Sequence, residues 1–324
     1  MTDSMNRPSI SAEQPSTDAI SARLNDLAGL ADACRDAFLT VAAESHWRPA
    51  PGSSAAVAQV RLDTEDPAVS DDGVLGGFSL VSEVIVTYLE VAAGHLGGLA
   101  ALYRSGEVMF PPLPLIRSVM EYCAHAMWVI GADSGTYADI LGRAYLEEFT
   151  SCEFAKMAAG SLGSKDDDIY KHAQHRWAAV RDRAIAAFPG TTRDDLSESK
   201  PGRTLAGQVL PGPEACVAGM FDLLHKEASG AATERQSRGI YAFLSSGTHP
   251  SLYQARQLRI PVDHGDHHGT MLSVDTVFLE RLLATAVTTF YNTLSYVISF
   301  YGLPNDAHEA LTLKIDAVLP GYLT

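Results

Sequence analysis

Apolar residues recur along this chain mostly at three- and four-residue spacings, the period of a helix face, and prolines and glycines divide them into segments. The first run, Ile20, Leu24, Leu27, Leu30, Ala31, Cys34, Phe38 and Val41, predicts an amphipathic helix over 17–45, capped by Ser16, Thr17 or Asp18. The polar, proline-punctuated residues 1–16 before it read as a disordered tail. Residues 46–77 turn loop-like, with Pro51, Gly52, Pro67 and the acidic pair Asp71 and Asp72, and the VAQVRL stretch at 57–62 is read as a short strand. A long apolar helix follows over 78–105. Its glycines Gly94, Gly97 and Gly98 are weak helix formers and call for a closely packed neighbour, whereas Glu83, Thr87 and Glu90 share one face that reads as a solvated stripe.

The same pattern predicts helices over 111–130, over 136–162 with Asp133 or Ser134 as cap, and from an N-cap at Ser164 with Asp167 through Phe188. Residues 189–212 are turn-rich and read as a surface loop or lid. Helices over 213–228 and 234–249 follow, then a short hairpin or extended arm near 257–272, a buried helix over 274–301 and an amphipathic one over 304–319. The expected fold class is all-α, eight or nine helices in one bundle-like domain spanning 17–324.

The segment 111–130 organises the rest. At about 100° per residue, Arg117, Glu121, His125 and Trp128 fall within roughly 80° of one another, while Leu115, Ile116, Val119, Met120, Ala124, Met127, Val129 and Ile130 cover most of the remaining surface. A charged pair, an imidazole and an indole on so apolar a helix read as an internal polar face or the lining of a cavity. A second polar face, Arg238, Tyr241, Ser245 and Thr248, appears on the helix that ends before Pro250, with His249 at its edge. The bland reading makes His249 a C-capping residue, with Ser245 and Ser246 bonding back to helix carbonyls. Arg143 and Glu147 stand four apart and read as a surface ion pair, or as a pair reaching the Arg117 face.

Composition narrows the function classes. The 324 residues are 46% hydrophobic and 19% charged, with a formal net charge of −15 that opposes attraction to nucleic-acid phosphates. The four cysteines, Cys34, Cys123, Cys152 and Cys216, stand far apart without a C-x-x-C pair, which fits buried thiols in a reducing cytoplasm. No secretory signal is read at the N-terminus and no membrane span, since the apolar stretches near 113–130 and 282–301 carry charged residues or are rich in Thr, Asn, Ser and Tyr. Asp263, His264, Asp266, His267 and His268 look metal-like, but their glycine-rich surroundings favour a solvated loop.

R-S-V-M-E near W-V-I, the following R-A-Y-L-E-E and the late Y-A-F-L-S-S-G-T-H-P together resemble a group of uncharacterised actinobacterial helical proteins that are similar to HEPN-like domains. The resemblance covers roughly residues 78–255 and implies a polar core of Arg117, Glu121, Arg143, Tyr241, Ser245 and His249. Many HEPN-like proteins cleave RNA through an R-x(4–6)-H motif. Here seven residues separate Arg117 from His125 and ten separate Arg238 from His249, and the one literal match, Arg259 to His264, contains Pro261.

Three functions are compatible with these patterns. The first, and the one preferred, is binding of a small anionic molecule in a pocket between the helices carrying Arg117 and Tyr241. Arg117, Arg143, Tyr241 and Ser245 would bind the ligand there, and His125 or His249 with Glu121 would supply metal-free acid–base chemistry. The second is a HEPN-like ribonuclease that joins Arg117 to His249 and is completed as a homodimer. The third is a carboxylate–histidine metal enzyme using Glu90, Glu121 and His125. The sequence assigns no cofactor and no metal ligand set, and it shows no Gly-x-Ser-x-Gly elbow, phosphate loop or dinucleotide fingerprint.

Overall fold

The computed structural model describes residues 16–66, 73–132, 136–197, 202–228 and 232–323. The expected tail over 1–16 falls almost entirely outside these residues, as do Asp71, Asp72, Asp133 and Ser134.

Side-chain caps fix where most helices begin. Ser16 accepts from the Ala19 amide at the head of α1 (Thr17–Ser45), and Ser53 accepts from Ala56 at the head of α2 (Ser54–Glu65). The 57–62 stretch is thus helix rather than strand: with Ser53 as cap, Ala55, Ala58 and Leu62 form a buried helical stripe that a period-2 reading of its valines misses. The chain continues through α3 (Gly77–Ser105), α4 (Pro112–Ile130), α5 (Tyr137–Leu162), α6 (Asp168–Ala187), α7 (Pro213–Ala228), α8 (Glu234–Ser245), α9 (Leu252–Gln257), α10 (Thr276–Tyr301) and α11 (Asp306–Val318). Thr136 with Asp139 and Thr233 with Gln236 form capping boxes on α5 and α8. The count of eleven helices among the described residues exceeds the expected eight or nine because α2 and the short α9 were not foreseen.

Two antiparallel hairpins interrupt the helices: β1 (Thr204–Leu205) with β2 (Gln208–Val209), and β3 (Arg259–Asp263) with β4 (His268–Leu272). The second is the arm expected near 257–272. Its tip carries the exposed His264 and His267, stacked at 4.7 Å.

The layering centres on α3 and α4, which pack along each other. α1, α2, α5 and α10 also lie on α3, while α10, α7, α8 and α5 lie on α4, and α6 packs on α5. One continuous cluster of buried apolar side chains runs from Leu24 to Leu319. Of the α3 glycines, Gly98 faces Leu115 of α4 and Gly97 faces Arg35 of α1, as close packing requires, while Gly94 is exposed. Glu83, Thr87 and Glu90 are exposed, the solvated stripe of the plain reading. By length and composition α3 is the one described helix apolar enough to cross a membrane, and in this fold Leu80, Ile85, Leu89 and Leu96 on it are buried.

A polar latch ties the α2–α3 turn to α5 and α6. The buried Asp66 carboxylate accepts from Arg183 Nε and Nη2 (3.2 and 3.1 Å), from the Tyr145 hydroxyl (2.6 Å) and from the Gly77 amide (2.8 Å). A buried carboxylate with this many donors is fully compensated, which is the condition for burying its charge.

Candidate functional site

The polar face read on α4 exists. Arg117, Glu121, His125 and Trp128 are all half-buried, and the residues between them are mostly fully buried. A face in this intermediate state is neither core nor surface, and neighbouring helices supply its partners.

Its N-terminal half is a closed clasp to α8. Arg117 Nε donates to Glu121 Oε1 (2.8 Å), Nη2 donates to the Tyr241 hydroxyl (2.8 Å), and Nη1 donates to Thr248 Oγ1 (2.7 Å). The Tyr241 hydroxyl in turn donates to Glu121 Oε1 (2.7 Å), and the guanidinium lies 5.0 Å from the Tyr241 ring centroid. Burial lowers the Arg117 pKa, but Glu121 and Tyr241 outweigh it and raise it overall. The Tyr241 phenol is raised by burial and by Glu121. These groups satisfy one another. Ser245 donates to the Tyr241 carbonyl (2.8 Å), the back-bonding of the plain reading, and His249 lies exposed past the helix end, where its amide donates to the Ser245 carbonyl. Thr248, rather than Ser245 or His249, completes the clasp.

The C-terminal half carries the unusual chemistry. His125 Nδ1 meets Glu147 Oε1 of α5 at 2.6 Å, and Glu147 Oε2 accepts from the Tyr88 hydroxyl of α3 (2.7 Å). Glu147 is 5% exposed. Burial works against the charged imidazole, yet the nearby Cys216 thiol of α7 and the hydrogen-bonded Glu147 carboxylate hold its pKa up at about 10, which favours the cation at neutral pH. Burial raises the Cys216 thiol, with His125 pulling the other way. Burial and Glu147 also raise the Tyr88 phenol. Ring contacts extend the line from His125 through Tyr88 and Tyr122 to His95.

The expected Arg143–Glu147 pair is not formed. Glu147 turns to His125, and Arg143 turns to the end of α4: its Nη1 reaches the Trp128 and Ile130 carbonyls (3.3 and 3.4 Å), and Nε donates to Gln208 Oε1 of β2 (2.9 Å). Gln208 passes its own amide to Asp139 (3.0 Å). The free carbonyls and negative dipole end of α4 suit a guanidinium. Gly131 makes the approach feasible: its φ is +73°, and a Cβ at this position would collide with Arg143 Nη1. Every hydrogen-bond partner of Arg143 is therefore neutral, and burial draws its pKa below the ordinary arginine value against the more distant pull of Asp139.

Beside these groups, between α4, α5 and α7, lies a cavity of about 390 Å³. Trp128, Met127, Met220 and Leu223 give it apolar walls, Arg143 and Gln208 stand at one side, and Cys216 contributes to the wall. Asp222, Lys226 and Glu227 also line it, with Lys226 bonded to Asp222 (2.6 Å). This cavity is next to the α4 face, on the side of α5 and α7 rather than of the Tyr241 helix. A larger, shallow and mainly apolar groove of about 630 Å³ lies between α8 and α10, away from these groups.

Glu90, Glu121 and His125 do not assemble as a metal set, since Glu90 is exposed on α3, Glu121 serves Arg117 and Tyr241, and His125 serves Glu147. Among the described residues no three His, Cys, Asp or Glu side chains meet as a metal ion would require, the histidines of the hairpin tip included. Glu147, Cys216, Tyr88 and Gln208 were not foreseen as site residues. Only Glu147 gave a signal: it continues the buried Ile140 and Ala144 stripe of α5, an odd place for a surface carboxylate.

The fold and site together define an all-helical protein with an internal polar line set beside a cavity. No protein-family model, curated protein or solved structure matches the chain.

Proposed function

We propose that the protein binds a small molecule carrying an anionic group in the cavity between α4, α5 and α7, with His125 and Glu147 as a metal-free acid–base pair beside it. The observation that carries this reading is Arg143, a half-buried guanidinium in the cavity wall whose hydrogen-bond partners are two carbonyls and one amide oxygen, with no carboxylate. Arg117, Arg183 and Arg203 each hold a carboxylate. A cation without a bonded counter-charge in a water-poor site favours an anionic ligand, and the guanidinium fork suits a carboxylate or phosphate. The apolar walls then take an uncharged body. The ligand class is a small organic acid or phosphate ester. The four buried free cysteines support placing the protein in a reducing cytoplasm. Titrating the protein with phosphate monoesters and short dicarboxylates, and repeating this with Arg143→Ala, tests the reading: affinity should drop at least about tenfold in the variant.

A second reading keeps one supporting observation. Arg117 is bonded to Thr248, which adjoins the exposed His249 in the chain, so a half-buried arginine and a histidine lie one residue apart at the end of α8, the pairing of residue types that a HEPN-like ribonuclease acting as a dimer would use. The net charge of −15 weighs against it. RNA cleavage lost in His249→Ala would support it, and inertness toward RNA would remove it.

A further inference from the structure

The wall that α7 gives to the cavity is one helical stripe. At about 100° per residue, Cys216, Met220, Leu223 and Glu227 fall within roughly 60° of one another, and all four line the cavity. Burial falls along this stripe: Cys216 and Met220 are each 3% exposed, Leu223 is half-buried and Glu227 is exposed. The cavity therefore opens toward the C-terminal end of α7, and at about 1.5 Å of rise per residue the stripe is roughly 16 Å long. Glu227 is the carboxylate at its mouth.

Four charged residues line the cavity, and two of them cancel. Lys226 is bonded to Asp222 one turn back (2.6 Å), to one side of the stripe. Arg143 has only neutral hydrogen-bond partners, and Glu227 forms no ion pair among the described residues. One unpaired cation and one unpaired anion thus face the same space without reaching each other, and the remaining walls are mainly apolar. Glu227 also lies in the last turn of α7, where the helix dipole is negative and a further carboxylate is least favoured, so the mouth attracts a cation on two counts.

We propose that the ligand is a small zwitterion of the ω-amino acid type, with its carboxylate on Arg143, a short aliphatic chain along the α7 stripe and its ammonium at the mouth beside Glu227. The proposal rests on the anion-binding reading of this cavity and adds the second charge. Hydration sets the orientation. The weakly hydrated guanidinium tolerates a half-buried place and grips a carboxylate with its fork, whereas an ammonium is strongly hydrated and keeps its water at the exposed end. A dianion of the same length would place its second charge against Glu227.

The test is isothermal titration with three probes of one chain length: hexanoate, adipate and 6-aminohexanoate. Wild-type protein should bind 6-aminohexanoate at least about threefold more tightly than hexanoate, and adipate more weakly than hexanoate, as suits a partly solvated ion pair. The preference for 6-aminohexanoate should shrink as salt is raised. Glu227→Gln should bring the affinity ratio of 6-aminohexanoate to hexanoate close to one, and Arg143→Ala should weaken both at least about tenfold. Glu227 is exposed and bonded to no other described side chain, so the Glu227→Gln variant should melt with the wild type. Hexanoate binding as tightly as 6-aminohexanoate, or a ratio that Glu227→Gln leaves unchanged, would overturn the proposal. If hexanoate still binds in an Arg143-dependent way, those results overturn only this inference. Failure of all three probes to bind, or equal binding to wild type and Arg143→Ala, overturns the anion-binding reading and the proposal with it.

Discussion

The His125 imidazole and the Glu147 carboxylate meet at 2.6 Å between α4 and α5, with the Tyr88 hydroxyl on the other carboxylate oxygen. The folded protein binds the His125 proton more tightly than the unfolded chain does, its pKa rising from 6.5 to about 10. The resulting stability is present in full below about pH 6.5 and is lost as pH rises through about 10. Denaturant unfolding at intervals across this window should show wild type losing a few kcal/mol relative to His125→Gln, at about 1.4 kcal/mol per pKa unit and less where the partners share the proton. Parallel pH profiles for the two proteins would show that the pair carries no such linkage.

Gly131 holds the door for Arg143. Gly131→Ala forces a Cβ into the guanidinium and a side chain into positive φ, so it should cost about 1–3 kcal/mol and weaken anion binding together with stability. Intact affinity in this variant, measured by calorimetry, would show that the position of Arg143 is not critical.

The Arg117 clasp is closed by Glu121, Tyr241 and Thr248, which gives it the character of a joint between α4 and α8. Arg117→Ala and Tyr241→Phe should each destabilise the protein, by about 1–3 kcal/mol for arginine, and a double-mutant cycle should show coupling of about 1 kcal/mol or more. Affinity for anions in the cavity should stay within about twofold of wild type, because additivity holds for independent sites. A loss of binding with unchanged melting temperature would move the functional site to this end of α4.

Asp66→Ala leaves the Arg183 charge buried without its carboxylate and the Tyr145 hydroxyl and Gly77 amide without their acceptor. A loss of about 3–5 kcal/mol is expected by thermal or chemical denaturation. A cost below about 1 kcal/mol would mean that the latch is solvated in solution.

Much of this was legible in the chain. Period 3.6, the proline at the start of α4 and hydroxyl or carboxylate caps marked nine helices and the hairpin, and the α4 face was visible because four polar residues repeat on an otherwise apolar helix. The partners were not, since a helical projection shows which residues share a face but not what comes to meet it. Glu147 is the clearest case: Arg143 at i−4 offered a cheap local partner, and only the packing of α5 on α4 turns the carboxylate to His125. Cys216 sits in an apolar run and carries no pattern of its own, and Gln208 comes from a two-residue strand too short for any periodicity. His249 was placed by its proximity to Tyr241 in sequence, whereas the chain has already turned outward by that point.

The most direct measurement is isothermal titration of the wild-type protein and of Arg143→Ala with inorganic phosphate, a phosphate monoester and a short dicarboxylate, with melting temperatures taken for both. Saturable binding to the wild type by at least one of these anions, weakened at least about tenfold in the variant at unchanged melting temperature, is the predicted result. No binding to the wild type at millimolar anion, or equal binding to both proteins, would contradict an anion site at Arg143.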